Sequence, residues 1–337
     1  MSTSTLNRPP HAVPLDDLYA PIAPALATVE RRFADELFSE LAFVNNLCER
    51  VIRFRGKMLR PALVLLSGSA SRGAAGLTDE HITLAAVVEM VHMATLVHDD
   101  VLDESEIRRR HATINAMSGN ETAVLLGDYL ISHAFHLCSG LSSQFASRLI
   151  GATTNTVCEG ELLQIHHRGN DRLGEAEYFE IIRRKTASLT AACCLLGAKY
   201  AGADDESVEC LNQFGLNAGI AFQIVDDVLD LTGTQRDTGK TVGRDLDLGK
   251  PTLPIIHALA HAAPAARGEL ARLLHNGRSA SGMNVAQLLA ETSSVDYAMR
   301  TAESYVAAAQ EQLQRLPSSP ARESLLMMSD FLVQRSH

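Results

Sequence analysis

The chain has 337 residues, a formal net charge of −10 and 46% hydrophobic residues, with no Trp and six cysteines. An acidic balance with no basic stripe excludes a nucleic-acid partner, because nothing would neutralise a phosphate backbone. The cysteines show no C-x-x-C spacing and the N-terminus has no charged-plus-apolar leader, which points to a reducing, cytoplasmic compartment.

In chain order, residues 1–14 are rich in Ser, Thr and Pro without periodicity and read as a flexible tail. Residues 15–337 read as one large all-α domain, since Ala and Leu dominate the periodic segments and no linker-like shift divides them. One or two helices are expected over Leu15 to Val51, and Gly56 to Arg60 leads into another near Pro61. A helix is expected from Thr78 through Asp103. Its most apolar stretch, Leu84 to His98, is too short for a membrane span and carries Glu89, His92 and His98, so no transmembrane segment is expected. Helices follow over Glu121 to Ser139, Ser143 to His166, Gly174 to Ala201 and Asp204 to Leu231. Gly233 to Pro254, with four glycines and two prolines, reads as a long ordered loop. Helices resume near Thr252 to Ala262, Ala265 to Leu274, Val285 to Glu291, Val295 to Leu316 and Ala321 to Val333.

Within this helical pattern DDVLD occurs twice, at Asp99 to Asp103 and at Asp226 to Asp230. On a helix, residues four apart share a face and neighbours lie about 100° apart, so each motif gathers three carboxylates at one edge. Like charges at that spacing repel, and a cation has to offset the cost. Oxygen-only ligands select a hard ion, and Mg²⁺ bound by carboxylates together with substrate phosphates fits better than a caged Ca²⁺.

Only five of the 30 basic residues are lysines, and Lys57, Lys185, Lys240 and Lys250 all fall in short motifs. A compact ammonium is a point-charge phosphate ligand. Lys57 and Arg60 stand at a helix N-terminus, which already attracts anions. Arg108, Arg109 and Arg110 follow the first acidic cluster and have the look of a helix end. His92 lies two turns before Asp99, Gln223 lies three residues before Asp226, and Lys185 and Thr186 sit mid-helix among apolar residues. GTQRDTGKT (Gly233 to Thr241) misses the P-loop spacing by one residue and follows a helix instead of a strand, which excludes an NTPase.

Together, G-K-x-x-R-P (Gly56 to Pro61), H-D-D-x-x-D followed by R-R, G-D-Y-L (Gly127 to Leu130), G-E-L-L-Q (Gly160 to Gln164), K-T (Lys185, Thr186), F-Q-x-x-D-D-x-x-D and G-K-x-x-x-x-D-x-x-x-G-K-x-T-L-P (Gly239 to Pro254) resemble the trans-polyprenyl diphosphate synthases, most of all the octaprenyl-type members. The resemblance covers nearly the whole chain beyond the tail. It implies a single bundle of antiparallel helices around a central cavity, a homodimer, and Mg²⁺-dependent head-to-tail addition of isopentenyl diphosphate to an allylic diphosphate such as farnesyl diphosphate. Asp99, Asp100, Asp103, Asp226, Asp227 and Asp230 would hold the metal, three ions per active site. Lys185, Lys240 and Lys250 would grip the allylic diphosphate, with Arg108 beside the metals. Lys57, Arg60, His92 and Arg109 would hold the diphosphate of isopentenyl diphosphate. Thr186 and Gln223 would present oxygens to the allylic cation.

Ala94 and Thr95 precede Asp99 by five and four residues, a turn deeper into the bundle, and both are small. The growing tail is therefore expected to run on past Val91 and Val87 to an all-trans product longer than farnesyl, and Ala94→Phe to shorten it. Release of such a product leaves room for peripheral membrane contact. The alternatives are a geranylgeranyl or farnesyl diphosphate synthase, or the non-catalytic subunit of a heteromeric prenyl synthase. Such subunits typically lose aspartates, and none is lost here. A cyclising terpene synthase would lack the Lys57/Arg60 site.

Overall fold

Prolines punctuate the N-terminal region. The computed structural model describes residues 14–53, 56–73, 76–109, 111–233, 243–277 and 285–334; the expectations for the tail before Pro14, for Arg110 and for Lys240 fall outside them. The stretch expected as one or two helices is divided further. It comprises α1 (Leu15–Tyr19), a 3₁₀ turn (Ala20–Ile22), α2 (Ala23–Glu36) and α3 (Ala42–Arg53), with Pro in the first turn of both the 3₁₀ segment and α2. A prolyl nitrogen donates nothing, so it is tolerated only where a helix begins.

Helix α4 (Leu59–Arg72) starts after Met58, whose φ of 53° is left-handed. Helix α5 (Asp79–Leu102) is apolar on almost every side and is buried nearly throughout. By length and composition it could cross a membrane, which overturns the argument from shortness; 78% of its most apolar window is buried inside the protein, so it is a core helix.

The arginine run after α5 is not a helix end. Ile107–Arg108 (β1) pairs antiparallel with His111–Ala112 (β2), and Arg109 between them has a left-handed φ of 49°. Then come α6 (Ile114–Ser118), α7 (Asn120–Ser139), α8 (Phe145–His166) and α9 (Glu175–Ile182), followed by a π-helical turn (Arg183–Ala187) and α10 (Ser188–Tyr200). The long α11 (Asp205–Thr232) carries the second acidic motif. A short α12 (Arg244–Asp247) lies within the expected loop, and α13 (Leu253–His261), α14 (Pro264–Asn276), α15 (Val285–Glu291), α16 (Ser294–Gln314) and α17 (Pro320–Gln334) complete the chain. Helix α5 packs on α2, α4 and α7, α10 bridges α4 and α11, and α11 runs along α16. The two acidic helices thus belong to one bundle, and α10 touches both of them.

A buried histidine joins α5 to α10. His81, in the first turn of α5, is wholly buried; its Nδ1 lies 3.1 Å from the Thr78 backbone N–H and its Nε2 lies 3.0 Å from the Gly197 carbonyl. A backbone N–H can only donate, so Nδ1 accepts and the proton sits on Nε2, donating to Gly197. Burial pushes the pKa below the ordinary histidine value, with the Gly197 bond opposing it. The unfolded chain therefore takes up this proton more readily, and the stabilisation is complete above about pH 6.5 and lost as pH falls below it. Thermal melts should show Tm dropping below about pH 6.5, with a shallower slope in His81→Gln. Identical slopes in the two proteins would show that His81 is not the group responsible.

Candidate active site

A cavity of about 1270 Å³ receives Asp99 and Asp103 from one side and Asp226, Asp227 and Asp230 from another. The first motif does not present three carboxylates on one helical edge. Helix α5 ends at Leu102, so Asp103 belongs to the turn beyond it. Asp100, about 100° round the helix from Asp99, is 5% exposed and faces Arg108, whose Nε and Nη2 donate to Oδ1 at 2.8 Å each. Burial pushes the Asp100 pKa up against the pull of Arg108. Asp99 and Asp103 border the cavity, whereas Asp100 ties down the hairpin.

Cations hold the rim. The Asp103 carboxylate accepts from Lys250 Nζ at 2.9 Å and from Arg168 Nη2 at 3.3 Å. Across the cavity, Asp230 accepts the backbone N–H groups of Arg244 (3.2 Å) and Asp245 (3.0 Å), which caps α12 in a segment rich in glycine. The Arg244 guanidinium in turn donates to the carbonyl oxygens of Asp103 and Glu104, so the two acidic segments are strapped together. Asp245 adds a further carboxylate to the cavity wall, with Lys250 Nζ at 3.6 Å.

A directed chain of hydrogen bonds fixes the floor. Thr186 Oγ1 donates to Gln223 Oε1 at 2.7 Å, and Gln223 Nε2 donates to Asp227 Oδ1 at 2.8 Å. Tyr178 donates its hydroxyl to the other Asp227 oxygen at 2.7 Å. Asp227 is 4% exposed; burial first, and then Asp245, push its pKa well above the carboxylate range, while Gln223 and Tyr178 pull against them. A divalent cation at this wall would reverse that balance.

Lys185 and Thr186 ride on the π-helical turn, a distortion that redirects side chains and recurs at functional sites. The G-E-L-L-Q motif explains itself against this turn. A Cβ on Gly160 would lie 2.5 Å from the Lys185 backbone nitrogen, so only glycine lets α8 approach. Glu161 pairs with Lys185 Nζ, and Gln164 Oε1 accepts from it at 2.8 Å. Burial disfavours the Lys185 ammonium, but Asp99, Glu161 and Asp103 outweigh it and raise its pKa. In G-D-Y-L the His98 ring packs on Gly127, with Nε2 2.1 Å from where a Cβ would stand.

A second group of cations, Lys57, Arg60 and Arg109, lines the same cavity together with His92 and Glu89. The Arg109 guanidinium lies against Gly56, 2.5 Å from where a Cβ would stand, which brings the hairpin arginine to the start of α4. Burial, and then Arg60, Arg109 and Arg108, push His92 well below the ordinary histidine value, so it is a neutral imidazole. Glu89, 2% exposed, offsets the burial that lowers the pKa values of Arg60 and Arg109.

Val91 and Thr95 line the cavity with Ile131, Thr154, Val157 and Cys158 of α7 and α8. Ala94 and Val87 are fully buried in the core and are not among the lining residues. Sequence reasoning missed Glu89, Arg168, Tyr178, Arg244 and Asp245. Arg244 and Asp245 stood inside a motif already quoted and Glu89 interrupts an apolar stretch; Arg168 and Tyr178 carry no local signal, because only the fold brings them to the cavity.

Among the described residues, no three His, Cys, Asp or Glu side chains lie together closely enough to cage an ion. The donor set fits a hard cation that takes one or two carboxylates and completes its shell with phosphate oxygens and water. All-helical packing, two acidic segments on one cavity and two groups of cations define the isoprenoid-synthase class of fold and site. Residues 42–292 match the polyprenyl synthetase family, and the chain belongs to it. It is 34% identical over 311 residues to octaprenyl diphosphate synthase of Escherichia coli K12, covering 92% of this chain and 95% of that one. The structure of a polyprenyl synthase from Caulobacter crescentus CB15, complexed with calcium and isoprenyl diphosphate, superposes with a TM-score of 0.89 at 33% identity, covering 98% of this chain and 99% of that one. A decaprenyl diphosphate synthase from Rhodobacter capsulatus gives 0.87 at 32% identity, covering 96% and 100%.

Proposed function

We propose that this trans-prenyltransferase adds isopentenyl diphosphate repeatedly, head to tail, to an allylic diphosphate such as farnesyl diphosphate, giving an all-trans polyprenyl diphosphate longer than farnesyl. Residues 15–337 act as one catalytic unit with Mg²⁺, three ions per site. The observation that carries this reading is that Asp99, Asp103, Asp226 and Asp227 border one cavity with two separate groups of cations. One group suits each of two diphosphates.

Divalent ions held by Asp99, Asp103, Asp226 and Asp227 would supply charge stabilisation for the departing diphosphate. Lys250 is anchored on Asp103, and Lys185 on Glu161 and Gln164, so both ammoniums stand at the wall and need little reorganisation to meet that diphosphate. The allylic C–O bond breaks with its electron pair leaving on diphosphate. Thr186 commits its proton to Gln223, which Asp227 fixes, so Thr186 offers lone pairs to the allylic cation. The double bond of isopentenyl diphosphate then forms the new C–C bond, and the proton lost from the adjacent carbon passes to the departed diphosphate. His92, whose pKa is lowered by burial and by Arg60, Arg109 and Arg108, stands beside those arginines to hydrogen-bond the second diphosphate. The apolar remainder of the cavity excludes water from the cation.

The reading of a longer product is supported by the small wall at Thr95 and Val91. Because Thr95 lines the passage and Ala94 does not, Thr95→Phe is the direct test of length control. It should shift the products toward shorter chains with the rate of the first condensation within about threefold of wild type; an unchanged product ladder would refute the passage. A homodimer is supported by apolar side chains on α7 and α8, where Leu125 is 68% and Leu162 is 66% exposed. The six thiols, none in a disulfide, support a reducing cytoplasmic setting, with peripheral membrane contact on product release.

Incubating the pure protein with Mg²⁺, farnesyl diphosphate and labelled isopentenyl diphosphate tests the assignment. Labelled products longer than farnesyl are expected. Failure to consume label with any allylic primer would overturn it in favour of a non-catalytic subunit.

A further inference from the structure

The first and last described helices meet at Lys57. Tyr19, in the N-terminal α1, is 8% exposed and donates its hydroxyl to the Lys57 carbonyl oxygen at 2.9 Å. Phe331, in the C-terminal α17, sets its ring centroid 5.5 Å from the Lys57 ammonium. All three residues line the cavity. Neither Tyr19 nor Phe331 belongs to any motif that marks the site.

Physical chemistry gives each contact a task. Met58, between Lys57 and α4, has a left-handed φ of 53°, a conformation disfavoured for any residue with a side chain. The bond from Tyr19 to the preceding carbonyl holds that turn from outside. Lys57 is exposed at its own position, and its four-carbon chain has many rotamers open to it. A ring face within about 6 Å attracts a cation and narrows that spread.

We propose that Tyr19 and Phe331 are positioning residues for the isopentenyl diphosphate subsite. Tyr19 fixes the backbone of Lys57 and Phe331 its ammonium, so the two terminal helices jointly aim the one lysine of that subsite. The inference rests on the assignment of Lys57 to that diphosphate.

Steady-state kinetics on the full chain test it, with isopentenyl diphosphate varied at saturating allylic diphosphate and then the reverse. Phe331→Leu should raise KM for isopentenyl diphosphate roughly two- to fivefold, the size of an exposed cation–π contact, with kcat and the allylic KM unmoved. Phe331→Tyr, which keeps a π face, should restore KM toward wild type, and Tyr19→Phe should raise it as Phe331→Leu does. In a Lys57→Gln background, Phe331→Leu should add nothing, because the group it positions is gone. Equal rises in both KM values, or effects of Phe331→Leu and Lys57→Gln that multiply, would overturn the inference. A wild-type protein that turns over no isopentenyl diphosphate would sink the functional assignment with it. An active wild type with an unmoved Phe331→Leu KM would sink the bracing alone.

Discussion

Asp99→Ala and Asp226→Ala should each lower kcat by about a thousandfold, and the double variant should fall only a few-fold further. Both carboxylates border the cavity and reach it from different helices. If they hold the same metal–diphosphate assembly, losing either dismantles it, and groups that act as a unit are strongly non-additive. Multiplicative losses would instead mean two independent roles. The adjacent Asp100 provides the contrast. Its partner is Arg108 in the hairpin, so Asp100→Ala leaves a nearly buried guanidinium unpaired. That variant should lose about 1–3 kcal/mol of stability, read by denaturant unfolding, where Asp99→Ala should lose almost none.

Gly160→Ala is expected to be nearly as harmful although it touches no substrate. The added methyl would sit 2.5 Å from the Lys185 backbone nitrogen and 2.8 Å from Arg184 Cβ, and neither is a loose side-chain end. Overpacking of this kind costs about 1–3 kcal/mol. The π-helical turn has to move, and Lys185 and Thr186 move with it; a shift of about 1 Å in positioned groups costs on the order of a hundredfold in kcat. Gly268→Ala is the control, because a Cβ there has nothing within 4 Å. It should leave activity alone and stabilise α14 by about 0.5–1 kcal/mol. Equal behaviour of the two variants would contradict the close-approach account.

What could be read from the chain was whatever a short segment encodes by itself. The paired DDVLD motifs, the Lys57/Arg60 entry and the Lys185-Thr186 pair stand out because polar groups interrupt apolar periodicity, and the structure brings them to one cavity. Helix existence was legible for the same reason. What escaped depends on partners distant in sequence. Arg109 reads locally as a helix end but sits in the turn of a hairpin, with its guanidinium against Gly56. Asp103 leaves its helix because α5 stops at Leu102, and α12 forms inside an expected loop because Asp230, fourteen residues before Arg244, caps it. Tyr178 and Glu89 look like ordinary helical residues until the fold sets them against Asp227 and the arginines. The π-helical turn has no compositional mark at all.

Asp99 and Asp226, from the two acidic segments, would hold divalent ions that stabilise one bound diphosphate. Titration of Mn²⁺ followed by electron paramagnetic resonance, with and without an unreactive thio-analogue of the allylic diphosphate, measures this directly. Tight Mn²⁺ binding should require the analogue and should be lost in both Asp99→Ala and Asp226→Ala. Binding indifferent to the analogue, or wild-type affinity in either variant, would contradict it.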